Sequence, residues 1–159
     1  MQTDKILEEL FTALHEIESE EIDLAKKEET GLPYDMIVML LSGFGSQTNT
    51  AQCEIYFLPK EALGDIMFFF RINLTEKVVE ENIPGLCAEI AATNYDLPFG
   101  AFSFDLAENA VVYQANLPMT DALTEAEIRD EAEGCIATGI SLARRFSETI
   151  IPSAITWRR

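Results

Sequence analysis

The sequence is poor in the residue types that build most catalytic and metal centres. Its 159 residues include one histidine, His15, and three cysteines, Cys53, Cys87 and Cys135. A metal site with nitrogen and sulfur ligands needs several such residues, and none occurs at ligand spacing from His15. A Cys-His or Ser-His pair could still assemble in the folded chain, but no local motif marks a nucleophile. We therefore predict no catalytic, metal-binding or cofactor-binding residue, and no cofactor.

Basic residues are also scarce. The chain has 28 Asp and Glu against 11 Lys and Arg, which gives a net charge of −17 and a pI of about 4.2. Such a field repels nucleic-acid phosphates and anionic lipid surfaces, so neither nucleic acid nor a membrane is expected as a partner. A basic or amphipathic polypeptide segment is favoured instead. The simpler interpretation of any single acidic residue is that it contributes to solubility.

Long apolar runs are missing as well. The N-terminal segment lacks the basic and apolar regions of a signal peptide, and no apolar run approaches the length of a membrane span. The cysteines are odd in number and each lies inside an apolar segment, which indicates buried, reduced thiols. These observations predict a cytoplasmic protein.

Strand patterns are abundant. Alternation of apolar and polar residues over 97–118 predicts a β-hairpin with its turn at 106–109. Apolar patterns predict three further strands, at residues 36–41, 53–58 and 66–74. The short connections between them favour an antiparallel meander. In the last of these strands, the alternation predicts one face with Phe68, Phe70, Ile72 and Leu74 and another with Met67, Phe69, Arg71 and Asn73.

Helical patterns flank these strands. Apolar residues at helical spacing predict an amphipathic helix from residue 3 to about residue 20. A second helical segment is capped by Thr75 and is either kinked at Pro84 or restarted there. A third helix begins with a capping box formed by Thr124 and Glu127 and is predicted to stop at Pro152.

The chain is predicted to be a single domain over residues 1–159, with an acidic connection at 16–33 and a C-terminal tail at 153–159. The element order is α-βββ-α-ββ-α. This order predicts an α+β fold in which helices pack on a five-stranded antiparallel sheet.

This order resembles that of the type III secretion chaperones, and the middle of the chain is similar to the related YbjN family. The likeness is carried by residues 90–105, I-A-A-T-N-Y-D-L-P-F-G-A-F-S-F-D, by the Val111-Val112-Tyr113 strand that follows and by the long final helix. The resemblance implies a homodimer that binds an extended segment of another polypeptide without ATP or a cofactor. YbjN-like members are described as regulators. Neither family has a catalytic apparatus to carry over.

Apolar residues on both sides of the predicted strands indicate a surface for a partner or for a second copy of the chain. The candidate residues are Met36, Val38, Leu40, Phe69 and Trp157. We predict a non-enzymatic polypeptide-binding protein of the chaperone or adaptor type. Two alternatives stay open. In the first, the apolar faces are covered by the protein's own helices and by a dimer contact, so that no surface is left for a partner. In the second, the chain is a small cytosolic hydrolase with a carboxylate-lined pocket.

Overall fold

The structure is a computed structural model that describes residues 3–44, 49–58, 66–75, 78–120 and 122–155. Within these ranges the helices are α1 (Thr3–Leu14), α2 (Lys27–Thr30), α3 (Ile83–Asp96) and α4 (Glu125–Ile155), and a 3-10 turn, Glu80–Asn82, precedes α3. The strands are β1 (Glu21–Ala25), β2 (Met36–Phe44), β3 (Asn49–Leu58), β4 (Ile66–Thr75), β5 (Ala101–Asp105) and β6 (Ala110–Met119). The predicted α+β class is confirmed.

The strands form one open antiparallel sheet in the order β1-β2-β3-β4-β6-β5. The predicted antiparallel sheet is therefore confirmed, but it has six described strands rather than five. β2, β3 and β4 follow one another as a meander. The β5–β6 hairpin then joins the sheet through β6, so β1 and β5 are the two edge strands.

One apolar layer lies between the sheet and the helices. In β4, Phe68, Phe70 and Ile72 are fully buried, whereas Phe69 and Arg71 are only partly buried. This alternation confirms the predicted division of β4 into two faces. Helix α1 adds its buried stripe to the same layer: Ile6, Leu7, Leu10 and Leu14.

Helix α4 begins as the sequence predicts and ends later. The capping box is confirmed, because the Glu127 N–H donates to Thr124 Oγ1 at 3.1 Å and the Thr124 N–H donates to Glu127 Oε1 at 3.4 Å. The predicted stop at Pro152 is wrong, since the helix includes this proline and three further residues. Ile150 and Ile151 are buried, so packing keeps the chain helical up to the proline. Pro152 then falls in the last turn, and the intrahelical bond that its ring removes is the single one to the Glu148 carbonyl.

The additional strand, β1, lies inside the predicted acidic connection. Residues 16–29 contain seven acids and two lysines, and among them is a short alternation of acidic and apolar residues that the predicted strands do not include. Ile22 and Leu24 pack against the core, while Glu21 and Asp23 are exposed. The pattern is that of a half-buried strand, and it pairs with β2 over its full length.

Ion pairs join the segment after β1 to the rest of the molecule. Lys26 Nζ lies 2.8 Å from Glu8 Oε1, and Lys27 Nζ lies 3.3 Å from Asp4 Oδ2, so both lysines contact α1. The buried Asp35 accepts a hydrogen bond from the Lys27 N–H at 2.9 Å. The two lysines therefore neutralise carboxylates of α1, and no ion pair between described residues neutralises Glu21 or Asp23 of β1.

The segment after β4 also differs from its prediction. Thr75 does not cap a helix, because it is the last residue of β4 and pairs with Val111. The helix starts at Ile83 with Pro84 in its first turn, so of the two alternatives the restarted helix is confirmed.

Candidate functional site

Most residues of the predicted partner or dimer surface lie on the sheet face opposite the core. Met36, Val38 and Leu40 alternate along β2 with buried core residues, and Phe69 lies on the same side of β4. All four side chains are partly exposed. We call this side of β2, β3 and β4 the open face. Trp157 lies outside the described residues.

Aromatic rings form a stack across the open face. The Tyr34 and Tyr56 rings are 4.3 Å apart with planes 9° from parallel, and the Tyr56 and Phe69 rings are 5.1 Å apart and 5° from parallel. Burial, with further contributions from Tyr34 and Glu54, raises the pKa of Tyr56 to about 12. Tyr56 is therefore neutral at physiological pH and combines an apolar ring with a hydroxyl, as is common at protein interfaces.

An ion pair lies on the β5 side of this stack. Arg71 Nη2 is 2.9 Å from Asp105 Oδ2. Asp105 also accepts hydrogen bonds from the backbone N–H groups of Ala107, at 3.0 Å, and Glu108, at 3.2 Å. The hydrogen bond from Arg71 is the largest cause that lowers the pKa of the Asp105 carboxyl, and the hydrogen bond from the Glu108 N–H is the next largest. The carboxylate thus fixes both the β5–β6 turn and the guanidinium.

Two buried polar atoms of β4 on this side lack hydrogen-bond partners among the described residues. They are Arg71 Nε and Asn73 Oδ1. Buried polar atoms normally have a partner, and an unpaired one costs about 1–3 kcal/mol. The described residues therefore leave part of the hydrogen-bonding capacity of the open face unused.

The β1 edge of the sheet borders the open face. Glu21 is paired in register with Leu40, and Asp23 with Val38. Both acids are exposed, so they form an acidic margin directly beside the apolar row of β2. Within the described ranges, β1 pairs only with β2. No described strand pairs with its outer backbone groups.

The β5 edge is different because a side chain occupies it. Asn94, at the end of α3, donates from Nδ2 to the Phe102 carbonyl at 2.9 Å and accepts from the Phe102 N–H at 2.8 Å. One amide thereby satisfies both outward groups of Phe102 as a neighbouring strand would. This occupied edge leaves β1 as the better candidate for strand addition.

The residues with potential metal or nucleophile chemistry lie apart. His15 is exposed, and its Nδ1–H donates to the Phe11 carbonyl at 2.7 Å. Burial raises the pKa of Cys53 well above its ordinary value and that of Cys135 to about 12. Cys87 is exposed, so the prediction of three buried cysteines is wrong for this residue. No group of three His, Cys, Asp or Glu in the described part of the chain could hold a metal ion.

The hydrolase alternative requires convergent carboxylates in a pocket. A cavity of about 260 Å³ beside α4 has Glu131 as its one carboxylate, together with Phe99, Leu117, Gly134, Cys135 and Thr138. A larger cavity of about 520 Å³ on another side of α4 also has one, Glu148. Neither lining supplies the pair of carboxyl groups that acid–base hydrolysis uses.

No protein-family model, curated protein or solved structure matches the chain. The resemblance to secretion chaperones and YbjN proteins therefore stays a prediction. In the described part of the chain, no helix combines the length and the apolar character needed to cross a bilayer.

Proposed function

We propose that the protein binds an extended segment of a partner polypeptide along the outer edge of β1, as a non-enzymatic chaperone or adaptor. The observation that carries this proposal is an available strand edge beside an acidic row and an apolar row. A segment added at this edge would gain main-chain hydrogen bonds. Such bonds demand little of the partner's sequence, which suits a protein that holds unfolded segments.

The two sides of β1 set the side-chain pattern of the bound segment. Side chains on the open-face side would lie beside Glu21 and Asp23, where Lys or Arg is favoured. Side chains on the other side would lie near Ile22 and Leu24, which pack against the core. Because successive side chains of a strand alternate between faces, the preferred segment alternates basic and apolar residues.

The same acids select against a second copy of the chain at this edge. Antiparallel pairing of two β1 strands would bring Glu21 and Asp23 of one copy close to the same acids of the other. Like charges in neighbouring positions of a sheet are unfavourable. The acidic margin therefore favours binding of a basic partner and disfavours pairing of two copies through β1.

We further propose that the protein is a homodimer and that the open face is its contact surface. The partly exposed Met36, Val38, Leu40 and Phe69, the aromatic stack and the unpaired atoms of Arg71 and Asn73 support this assignment. A contact through this face leaves the outer backbone groups of β1 accessible, so dimerisation and partner binding are compatible.

Binding of two designed peptides tests the edge proposal. One alternates Lys with Val and the other alternates Glu with Val, and each is measured by isothermal titration at low and moderate salt. We expect the Lys-Val peptide to bind, to weaken as salt rises and to lose affinity when alternate backbone nitrogens are N-methylated. Binding of the Glu-Val peptide alone, or binding that N-methylation leaves unchanged, would contradict strand addition at an acidic edge.

A matched pair of variants separates local from overall charge. Glu21→Lys combined with Asp23→Lys should abolish binding of the Lys-Val peptide. Glu80→Lys combined with Glu81→Lys makes the same change in net charge at an exposed turn far along the chain, and it should retain most of the binding. Equal losses in both variants would show that the acids of β1 have no special role.

A further inference from the structure

Two arginines of α4 stand apart from the other cations of the described chain. Lys5, Lys26, Lys27, Arg71 and Arg129 each form an ion pair with an aspartate or glutamate. Arg144 and Arg145 form none with a described residue, although the chain carries 28 acids. Two adjacent guanidinium groups without an ion pair to any described carboxylate require an explanation in so acidic a protein.

Both arginines line the cavity of about 520 Å³, whose volume is typical of small-ligand sites. The other lining residues are Ile17, Gly43, Ala137, Ile140, Ser141 and Glu148. Residues 137, 141, 144 and 148 recur at helical spacing, so one side of α4 forms a wall of the cavity. The apolar part of the lining comes from Ile17, Ala137 and Ile140.

Arg144 is held in place by a β-bulge at the end of β2. The register of β2 against β3 shifts between Leu41 and Phe44, and Gly43 within this bulge has a φ of +89°, which favours glycine. The Arg144 Nε–H donates to the Ser42 carbonyl at 3.2 Å, and its guanidinium carbon lies 5.4 Å from the centre of the Phe44 ring. These contacts fix the guanidinium, and its two Nη atoms have no hydrogen bond to a described residue.

We propose that this cavity binds a carboxylate carried by an apolar group. Guanidinium groups match the planar geometry of a carboxylate, and the apolar part of the lining would contact the body of the ligand. The lining carries two arginines and one glutamate, a formal charge of +1. Together with the −17 charge of the chain, this favours a singly charged carboxylate over a phosphate dianion.

Such a carboxylate could come from a small carboxylic acid or from the C-terminus of a polypeptide with an apolar last residue. One arm of the test therefore titrates the ¹⁵N-labelled protein with sodium octanoate and with octanamide. The other arm uses acetyl-Ala-Ala-Leu with a free C-terminus and the same peptide as its amide. We expect at least one carboxylate to shift amide signals of residues 137–148 and to bind roughly tenfold or more tightly than its amide. The arm that responds identifies the source.

Three variants test which groups hold the carboxylate. Arg145→Gln should weaken its binding by roughly tenfold or more. Arg129→Gln, on the same helix but ion-paired with Glu9, should leave binding unchanged. Glu148→Gln removes the negative charge from the lining and should strengthen binding, a gain that misfolding cannot mimic. Absence of binding in both arms at millimolar concentrations, equal binding of acids and amides, or binding insensitive to Arg145→Gln and Glu148→Gln would overturn the proposal.

Discussion

Gly139 of α4 allows the helix to approach the sheet closely. The rings of Phe70 and Tyr113 beneath it are fully buried. A Cβ at position 139 would overlap the Phe70 ring and lie 3.2 Å from Tyr113 Cε1. Neither ring can yield easily, because the two are in edge contact and the Tyr113 hydroxyl donates to the Phe99 carbonyl at 2.8 Å. An alanine at this position would therefore displace the helix or strain the core.

The magnitude follows from two opposing effects. Overpacking of a close-packed core costs about 1–3 kcal/mol, while replacing glycine by alanine inside a helix gains up to about 1 kcal/mol. Overlap with a buried aromatic ring places the cost in the upper part of that range, about 2–3 kcal/mol, so we expect Gly139→Ala to lower the free energy of unfolding by about 1–2 kcal/mol. Gly134 is the matched control on the same helix, because a Cβ there meets no atom within 4 Å. Gly134→Ala should raise the free energy of unfolding by about 0.5–1 kcal/mol.

Urea unfolding followed by far-UV circular dichroism measures both variants against the wild-type chain. A change of 1 kcal/mol corresponds to about 2–4 °C in Tm for a protein of this size, so thermal melts should move in opposite directions. Stabilisation of both variants by the same amount would refute the close approach of α4 to Phe70 and Tyr113. Unchanged m-values would show that the comparison concerns the same folded state.

Three further predictions concern the sheet edges and the open face. Asn94→Ala should destabilise the protein by about 1–3 kcal/mol in urea unfolding because it leaves two backbone groups of β5 unpaired, whereas Asn116→Ala at an exposed position should change stability little. Asp105 has a pKa below its ordinary 3.8, so its stabilising contribution is present above that pH and is lost as the pH falls through the folded-state pKa. Asp105→Asn should therefore be less stable than wild type at pH 7, and acid titration should show the difference shrinking below about pH 4. Light scattering at micromolar concentration should give a dimer of the 17.8 kDa chain and a monomer for Phe69→Lys; a wild-type monomer would contradict the proposed contact.

Local patterns predicted the elements whose formation depends on nearby residues. The period-two pattern of β4 assigned Phe68 and Phe69 to opposite faces, and the Thr124–Glu127 pair located the start of α4 to the residue. In both cases the determining contacts lie within a few positions of one another along the chain.

The elements that were missed depend on contacts between distant parts of the chain. β1 has only two apolar residues among many acids, and it is a strand because β2 provides pairing and the core accepts Ile22 and Leu24. The stack of Tyr34, Tyr56 and Phe69 joins a connection to two strands through their register, which no local pattern specifies. The larger cavity likewise depends on the β2 bulge meeting α4, so no local pattern assigns Arg144 to a cavity.

The two proposed binding sites require opposite charges on one strongly acidic molecule, and screening makes this possible. At physiological ionic strength the Debye length is about 8 Å, so the overall charge of −17 guides encounters while neighbouring groups decide what stays bound. At β1 the neighbouring lysines are committed to α1 and Asp35, which leaves Glu21 and Asp23 to face a basic segment. At α4 the reverse holds, because the cavity lining includes two arginines and only one glutamate. Local pairing of charges, rather than net charge, therefore determines which partner each surface accepts.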